Sequence, residues 1–118
     1  MQDDSGIAFR LLGRFEVGFG EPLKLGGPKQ RGVLAMLAVD HGRLVTVDRI
    51  ADGIWGGEPG AKVAGTIQVY VSNLRRILQP LRDELDHDLI VWQHTGYVLR
   101  VPSDWIDAAR FDQAVQAG

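Results

Sequence analysis

Between Val63 and Leu81, the apolar residues Val63, Ile67, Tyr70, Val71, Leu74, Ile77, Leu78 and Leu81 return to one side of a helix turning about 100° per residue. Pro80 restricts the residue before it and disfavours helix beyond Gln79. The next apolar run, "LIVWQHTGYVLRV", reads as two strands joined near His94, Thr95 and Gly96, with Gly96 supplying the tight turn. An amphipathic helix followed at once by a hairpin leaves few architectures open. The other face of the helix carries Gly65, Gln68, Val69, Ser72, Arg75, Arg76 and Gln79, with Lys62, Thr66 and Asn73 along its flank. What that polar face touches is the functional question.

Upstream, "FRLLGRFEV" (Phe9 to Val17) is rich in strand formers, Gly18 to Gly20 read as a turn, and "PLKL" alternates briefly. This predicts a small N-terminal sheet. A first helix is expected from Pro28, well suited to a first helical position, to His41, with Val33, Leu34, Met36 and Leu37 at helical spacing and Gly42 ending it. Thr46 can cap a short second helix, with Asp48 in its first turn and Ile50, Ile54 and Trp55 on its buried side. The turn "GGEPG" separates it from the third helix. Tyr97, Trp55 and Trp92 are expected in the core. Strands, three helices and a hairpin in this order predict an α+β fold: a winged helix-turn-helix with an N-terminal antiparallel sheet, a three-helix core and a C-terminal β-hairpin wing.

The chain of 118 residues is long enough for one domain with a core. It has no cysteine, which excludes disulfides, thiolate metal sites and a cysteine nucleophile and fits a reducing compartment. No apolar run approaches the ~18 residues of a membrane span, and "MQDDSGIAFR" lacks a signal-peptide pattern, so a cytoplasmic location is expected. The net charge of −2 conceals a segregation. From Pro59 to Arg82 there is no acid, but Lys62, Arg75, Arg76 and Arg82 are present; Asp83, Glu84, Asp86 and Asp88 follow at once. Enzyme signatures are missing. "DELDHDL" matches no calcium loop, Val33 stands where a phosphate loop needs Lys, and Gly18 and Gly20 lack a dinucleotide fingerprint's third glycine. No active site, metal site or cofactor is expected.

"PKQRGVLAMLAVDHGRLVTVDRIADGIWGG", "TIQVYVSNLRRIL", "HTGYVLRV" and "DAARF" together resemble the N-terminal part of the SARP family, the actinobacterial antibiotic-pathway activators with their EmbR-like relatives. More distantly, they are similar to the OmpR-type winged-helix domains of response regulators. The resemblance runs from about Phe9 to the C-terminus. It implies a DNA-binding transcription regulator that continues into a helical bacterial transcriptional activation domain. Residues 1–102 would be the DNA-binding domain and 103–118, with the helical-looking tail "DAARFDQAVQAG", the start of that next domain. It also implies tandem head-to-tail binding at direct repeats and a contact with RNA polymerase, through the "WGGEPG" turn. Relatives often have a basic or polar residue near the start of the third helix, where this chain has Ala64 and Gly65. Gly65 fits either close approach of the backbone to DNA or local tolerance near a helix start.

The chemistry supports DNA independently. An α-helix fits the major groove, whose base edges present distinguishable donors, acceptors and thymine methyls. Gln68, Ser72 and Asn73 can donate and accept, and Thr66 and Val69 can meet a methyl: these five are the base-reading candidates. Lys29, Arg31, Lys62, Arg75 and Arg76 are the phosphate candidates. Lys29 and Arg31 sit at a helix start, where cations oppose the dipole, so they also fit plain solubility charges. His94, Thr95 and Gly96 form the wing tip, which would reach the adjacent minor groove or phosphates or stay solvated. The free domain is expected to be monomeric, pairing only on DNA. A competing class is a protein-interaction winged helix that docks a partner through the third helix.

Overall fold

The computed structural model describes residues 6–56 and 62–108. In chain order it contains β1 (Phe9–Arg10), β2 (Glu16–Val17), α1 (Pro28–Val39), β3 (Val45–Thr46), α2 (Val47–Trp55), α3 (Val63–Ile77), α4 (Gln79–Arg82), β4 (Ile90–Gln93) and β5 (Gly96–Leu99), followed by a 3-10 turn at Ser103–Trp105. This is the expected winged helix-turn-helix order.

Helix boundaries follow local chemistry. Pro28 stands in the first turn of α1, and the helix ends at Val39, two residues before the expected His41. Thr46 caps α2: its side chain accepts a hydrogen bond from the Arg49 backbone N–H at 3.1 Å, and Gly56 closes the helix at φ 73°. That left-handed cap suits glycine. The third helix stops at Ile77, and Pro80 lies in the first turn of α4, where its missing N–H costs nothing.

The core forms where the helices meet. Val33, Leu34 and Leu37 of α1, Ile50 and Ala51 of α2, and Ile67, Val71 and Leu74 of α3 are buried together with Leu78 and Leu81. Each large aliphatic among them contributes about 1.5–3 kcal/mol relative to exposure. From the sheet side Ile90, Tyr97 and Leu99 join the same cluster. The third helix is thereby held along one face by α1, α2 and the hairpin.

Two features of the sheets differ from expectation. "FRLLGRFEV" is no single strand: it folds back on itself, β1 pairing antiparallel with β2 in the register Phe9–Val17 and Arg10–Glu16, with Gly13 at φ 84° in the connection. The "PLKL" segment forms no strand. The C-terminal sheet gains a third strand, since Val45 and Thr46 pair with Tyr97 and Gly96 to give the order β3-β5-β4. Gly96 is therefore a sheet position and not the turn residue. His94, at φ 55°, takes the left-handed conformation in the β4–β5 turn, whereas a Cβ on Gly96 would run into the Val45 carbonyl and the Thr46 backbone. The Thr95 carbonyl accepts from the Val47 N–H at 2.9 Å, which ties the wing turn to the start of α2.

Segment 103–107 leans on the N-terminal strands. Ala8 N–H donates to the Trp105 carbonyl at 2.7 Å, Phe9 bridges Ile106, and the Leu11 N–H donates to the Asp107 carboxylate at 2.7 Å. Ile106 is buried in the common core. The rest of the tail, with Phe111 and Val115, lies outside the described residues.

Candidate nucleic-acid interface

Burial of Ile67, Val71 and Leu74 fixes which side of α3 faces outward. Exposed on that side are Gly65, Gln68, Val69, Ser72 and Arg76, a stripe at three- and four-residue spacing, with Lys62 and Gln79 at its ends. Val69 is 57% exposed, a large apolar side chain left outside. The stripe contains no acid, and Arg75 and Arg76 stand in the last turn, where cations are favoured by the helix dipole. At the other end α3 has no side-chain cap, so its first N–H groups leave partial positive charge there.

The candidate base readers are not equivalent. Gln68, Val69 and Ser72 are exposed. Thr66 is half-buried, and its hydroxyl donates to the Lys62 carbonyl at 3.2 Å, which leaves its methyl and oxygen lone pairs for a partner. Asn73 is half-buried too; its amide donates to the Gln30 side-chain oxygen at 3.1 Å and accepts from Arg76 at 3.0 Å.

The cations also divide. Lys62 and Arg76 are exposed. Arg75 is half-buried, with Nε donating to the Ile90 carbonyl at 3.0 Å, so it braces α3 against the first wing strand. Arg31 Nη2 donates to the Phe15 carbonyl at 2.6 Å, bracing α1 against the β1–β2 connection. Lys29 is exposed and its ammonium lies 5.3 Å from the Trp55 ring centre. Trp55 in turn stacks on Tyr70 with 6.1 Å between ring centres, so the first turn of α1 and the side of α3 form one edge.

In the wing, His94 and Thr95 are exposed at the tip and Gly96 is buried. Tyr97 is the expected anchor: it is 4% exposed, and burial pushes its phenol above the ordinary value, partly offset by the Arg75 guanidinium. Trp92 is not the core residue expected. It is 53% exposed on β4, an edge strand of the order β3-β5-β4, and rests edge-on against Tyr97 with ring centres 5.0 Å apart. Sequence reasoning missed the wing aromatic and the buried Gln30, the polar residue that the core encloses among those described. No local pattern marks Gln30, whose partners are the Leu25 carbonyl and the sequence-distant Asn73. The expected polymerase-contacting turn falls at residues 57–61, outside the described residues. Among the described residues no cluster of His, Asp or Glu could hold a metal, and no helix is long and apolar enough to cross a membrane.

The comparisons agree with this geometry. A family model described as "Transcriptional regulatory protein, C terminal" matches residues 20–99. The chain is 34% identical over 114 residues to the transcriptional regulatory protein MoaR1 of Mycobacterium tuberculosis, which covers 95% of this chain and 36% of that protein. It is 32% identical over 119 residues to the regulatory protein AfsR of Streptomyces coelicolor, covering 98% of this chain and 11% of that one. The chain thus spans a minor part of each relative. Among solved structures, Mycobacterium tuberculosis EmbR in complex with a low-affinity phosphopeptide superposes with a TM-score of 0.82 at 34% identity, covering 94% of this chain and 29% of that one. Fold, sequence and the exposed stripe of α3 converge: this chain belongs to the OmpR-type family of transcriptional regulatory C-terminal domains, winged-helix DNA-binding domains, with relatives among the SARP-type regulators.

Proposed function

We propose that the domain reads double-stranded DNA sequence-specifically, with α3 in the major groove and the wing tip on the adjacent minor groove or phosphates. The observation that carries this reading is the acid-free exposed stripe of α3, where neutral Gln68 and Ser72 and apolar Val69 lie between the cations Lys62 and Arg76. Neutral bifunctional side chains suit base edges and long cations suit phosphates. Bracing of α3 by Arg75 against the first wing strand supports it, since a reading helix must be held rigidly.

The wider proposal is a cytoplasmic activator that binds promoter direct repeats as a head-to-tail pair and contacts RNA polymerase. The likeness to SARP-type regulators supports it. Selection of bound sites from random duplexes, followed by footprinting, tests both levels. The expected result is one enriched motif, protected twice in the same orientation at a spacing near a whole helical turn of about 10–10.5 base pairs. Recovery of no motif overturns the sequence-reading claim; an inverted pair overturns the head-to-tail arrangement. If α3 instead docked a protein, no duplex would be enriched and the partner's binding would be insensitive to salt.

A further inference from the structure

A single hydrogen-bonded chain runs from the interior to the exposed edge of α3. At its base the Leu25 carbonyl accepts from Gln30 Nε2 at 2.7 Å; Gln30 Oε1 accepts from Asn73 Nδ2 at 3.1 Å; Asn73 Oδ1 accepts from Arg76 Nη2 at 3.0 Å. Gln30 is only 8% exposed, so both ends of its amide must be satisfied inside the protein. The order of groups is directional. A backbone carbonyl can only accept, so it obliges Gln30 to turn its NH₂ inward and its oxygen toward Asn73. Asn73 then has to turn its own NH₂ inward, and an acceptor oxygen is left at the surface. That oxygen holds a guanidinium.

The loop before α1 makes room for the base of the chain. Gly26 lies at φ 98°, and a Cβ there would collide with the Gln30 amide. Arg76 itself is exposed and offers several N–H donors, of which this contact uses one.

Resting on the DNA reading above, we propose that Gln30 and Asn73 are positioning residues that fix the Arg76 guanidinium for a DNA phosphate, and that Asn73 is not itself a base reader. Ordering a long side chain before binding removes an entropy cost that would otherwise be met in the complex. The Gln30–Asn73 amide pair thus makes the affinity of an exposed arginine depend on a carbonyl in the loop before α1.

Two measurements on the 118-residue protein test this. The first needs no DNA: NMR of the Arg76 guanidinium in the wild type, in Asn73→Ala and in Gln30→Leu. Rotation should be slow in the wild type and fast in both variants, and equal mobility in all three overturns the proposal. Asn73 is half-exposed on a well-packed helix, so Asn73→Ala serves even where Gln30→Leu fails to fold. The second is a mutant cycle on the selected duplex. Asn73→Ala should weaken binding about 3- to 10-fold when Arg76 is present and not at all in the Arg76→Ala background. A merely structural role, or direct base reading by Asn73, would lower affinity equally in both backgrounds and overturn the positioning claim alone. A wild type that binds no duplex overturns the DNA reading, and this proposal with it.

Discussion

Gly65 has nothing within 4 Å of the Cβ it lacks, so no internal packing requires glycine there. Glycine within a helix costs about 0.5–1 kcal/mol against alanine. Gly65→Ala should therefore raise the melting temperature of the free domain, and if the backbone approaches DNA it should weaken binding to the selected site. Higher stability with unchanged affinity would leave local tolerance as the explanation. Division of labour among the outward residues gives a second prediction. Arg76→Ala should weaken binding to all duplexes and flatten the log–log salt dependence by ~1, as loss of one phosphate contact requires. Gln68→Ala should leave that slope nearly unchanged and cost about 1–3 kcal/mol on the preferred site, with less loss on scrambled DNA. Titrations at several salt concentrations distinguish the two patterns, and identical behaviour would contradict the assignment. The outward identity of Gln68 and Arg76 was legible in the sequence because helical period sorts residues by side. Asn73 and Arg75 were not legible in the same way, since their partners, Gln30 and the Ile90 carbonyl, are distant in sequence.

For the elements, α2 and α3 could be read because each combines an apolar period with a local stop, Gly56 after α2 and Pro80 after α3, while α1 was marked chiefly by Pro28 in its first turn. The two-residue strands could not. A strand such as Val45–Thr46 exists because it lies beside Gly96 and Tyr97, and no local pattern announces a pairing that short. Gly96 reads as a turn residue for the same reason, since nothing near it in the sequence shows that it pairs with Thr46. Gly96→Ala should consequently destabilise the domain by about 1–3 kcal/mol through displacement of β3, whereas His94→Gly in the turn should be neutral or stabilising. Urea unfolding of the two variants checks this, and the opposite order would contradict the sheet assignment. The wing also carries a pH dependence. Tyr97's folded pKa lies above its ordinary value of 10.0, so the folded state binds this proton more tightly than the unfolded chain. Its contribution is complete below about pH 10 and is lost as pH rises through the folded value. Alkaline unfolding of the wild type should show this loss, and Tyr97→Phe should lack it.

At the scale of the molecule, composition alone suggested no DNA partner, since a net charge of −2 averages an acid-free segment with the acidic stretch that follows it. The fold separates the two, placing Lys62 and Arg76 on the exposed stripe of α3 while Arg82 pairs with Asp88 at 2.6 Å. The boundary expected after Pro102 meets a physical objection in Ile106, which is 1% exposed, and in the Asp107 contacts to Leu11 and Leu12. Removing everything after Pro102 should therefore destabilise the fold by about 2–5 kcal/mol through loss of a buried isoleucine and lower its melting temperature, whereas a cut after Ala108 should keep these contacts. Equal melting of the two truncations would support the boundary after Pro102. The central claim, that α3 reads duplex DNA from a rigidly held face, is tested most directly by fluorescence anisotropy of the selected duplex against a scrambled one over a range of salt. Log affinity should fall linearly with log salt for both duplexes, with tighter binding to the selected site at every concentration. Affinity indifferent to salt, or equal for the two duplexes, would contradict it.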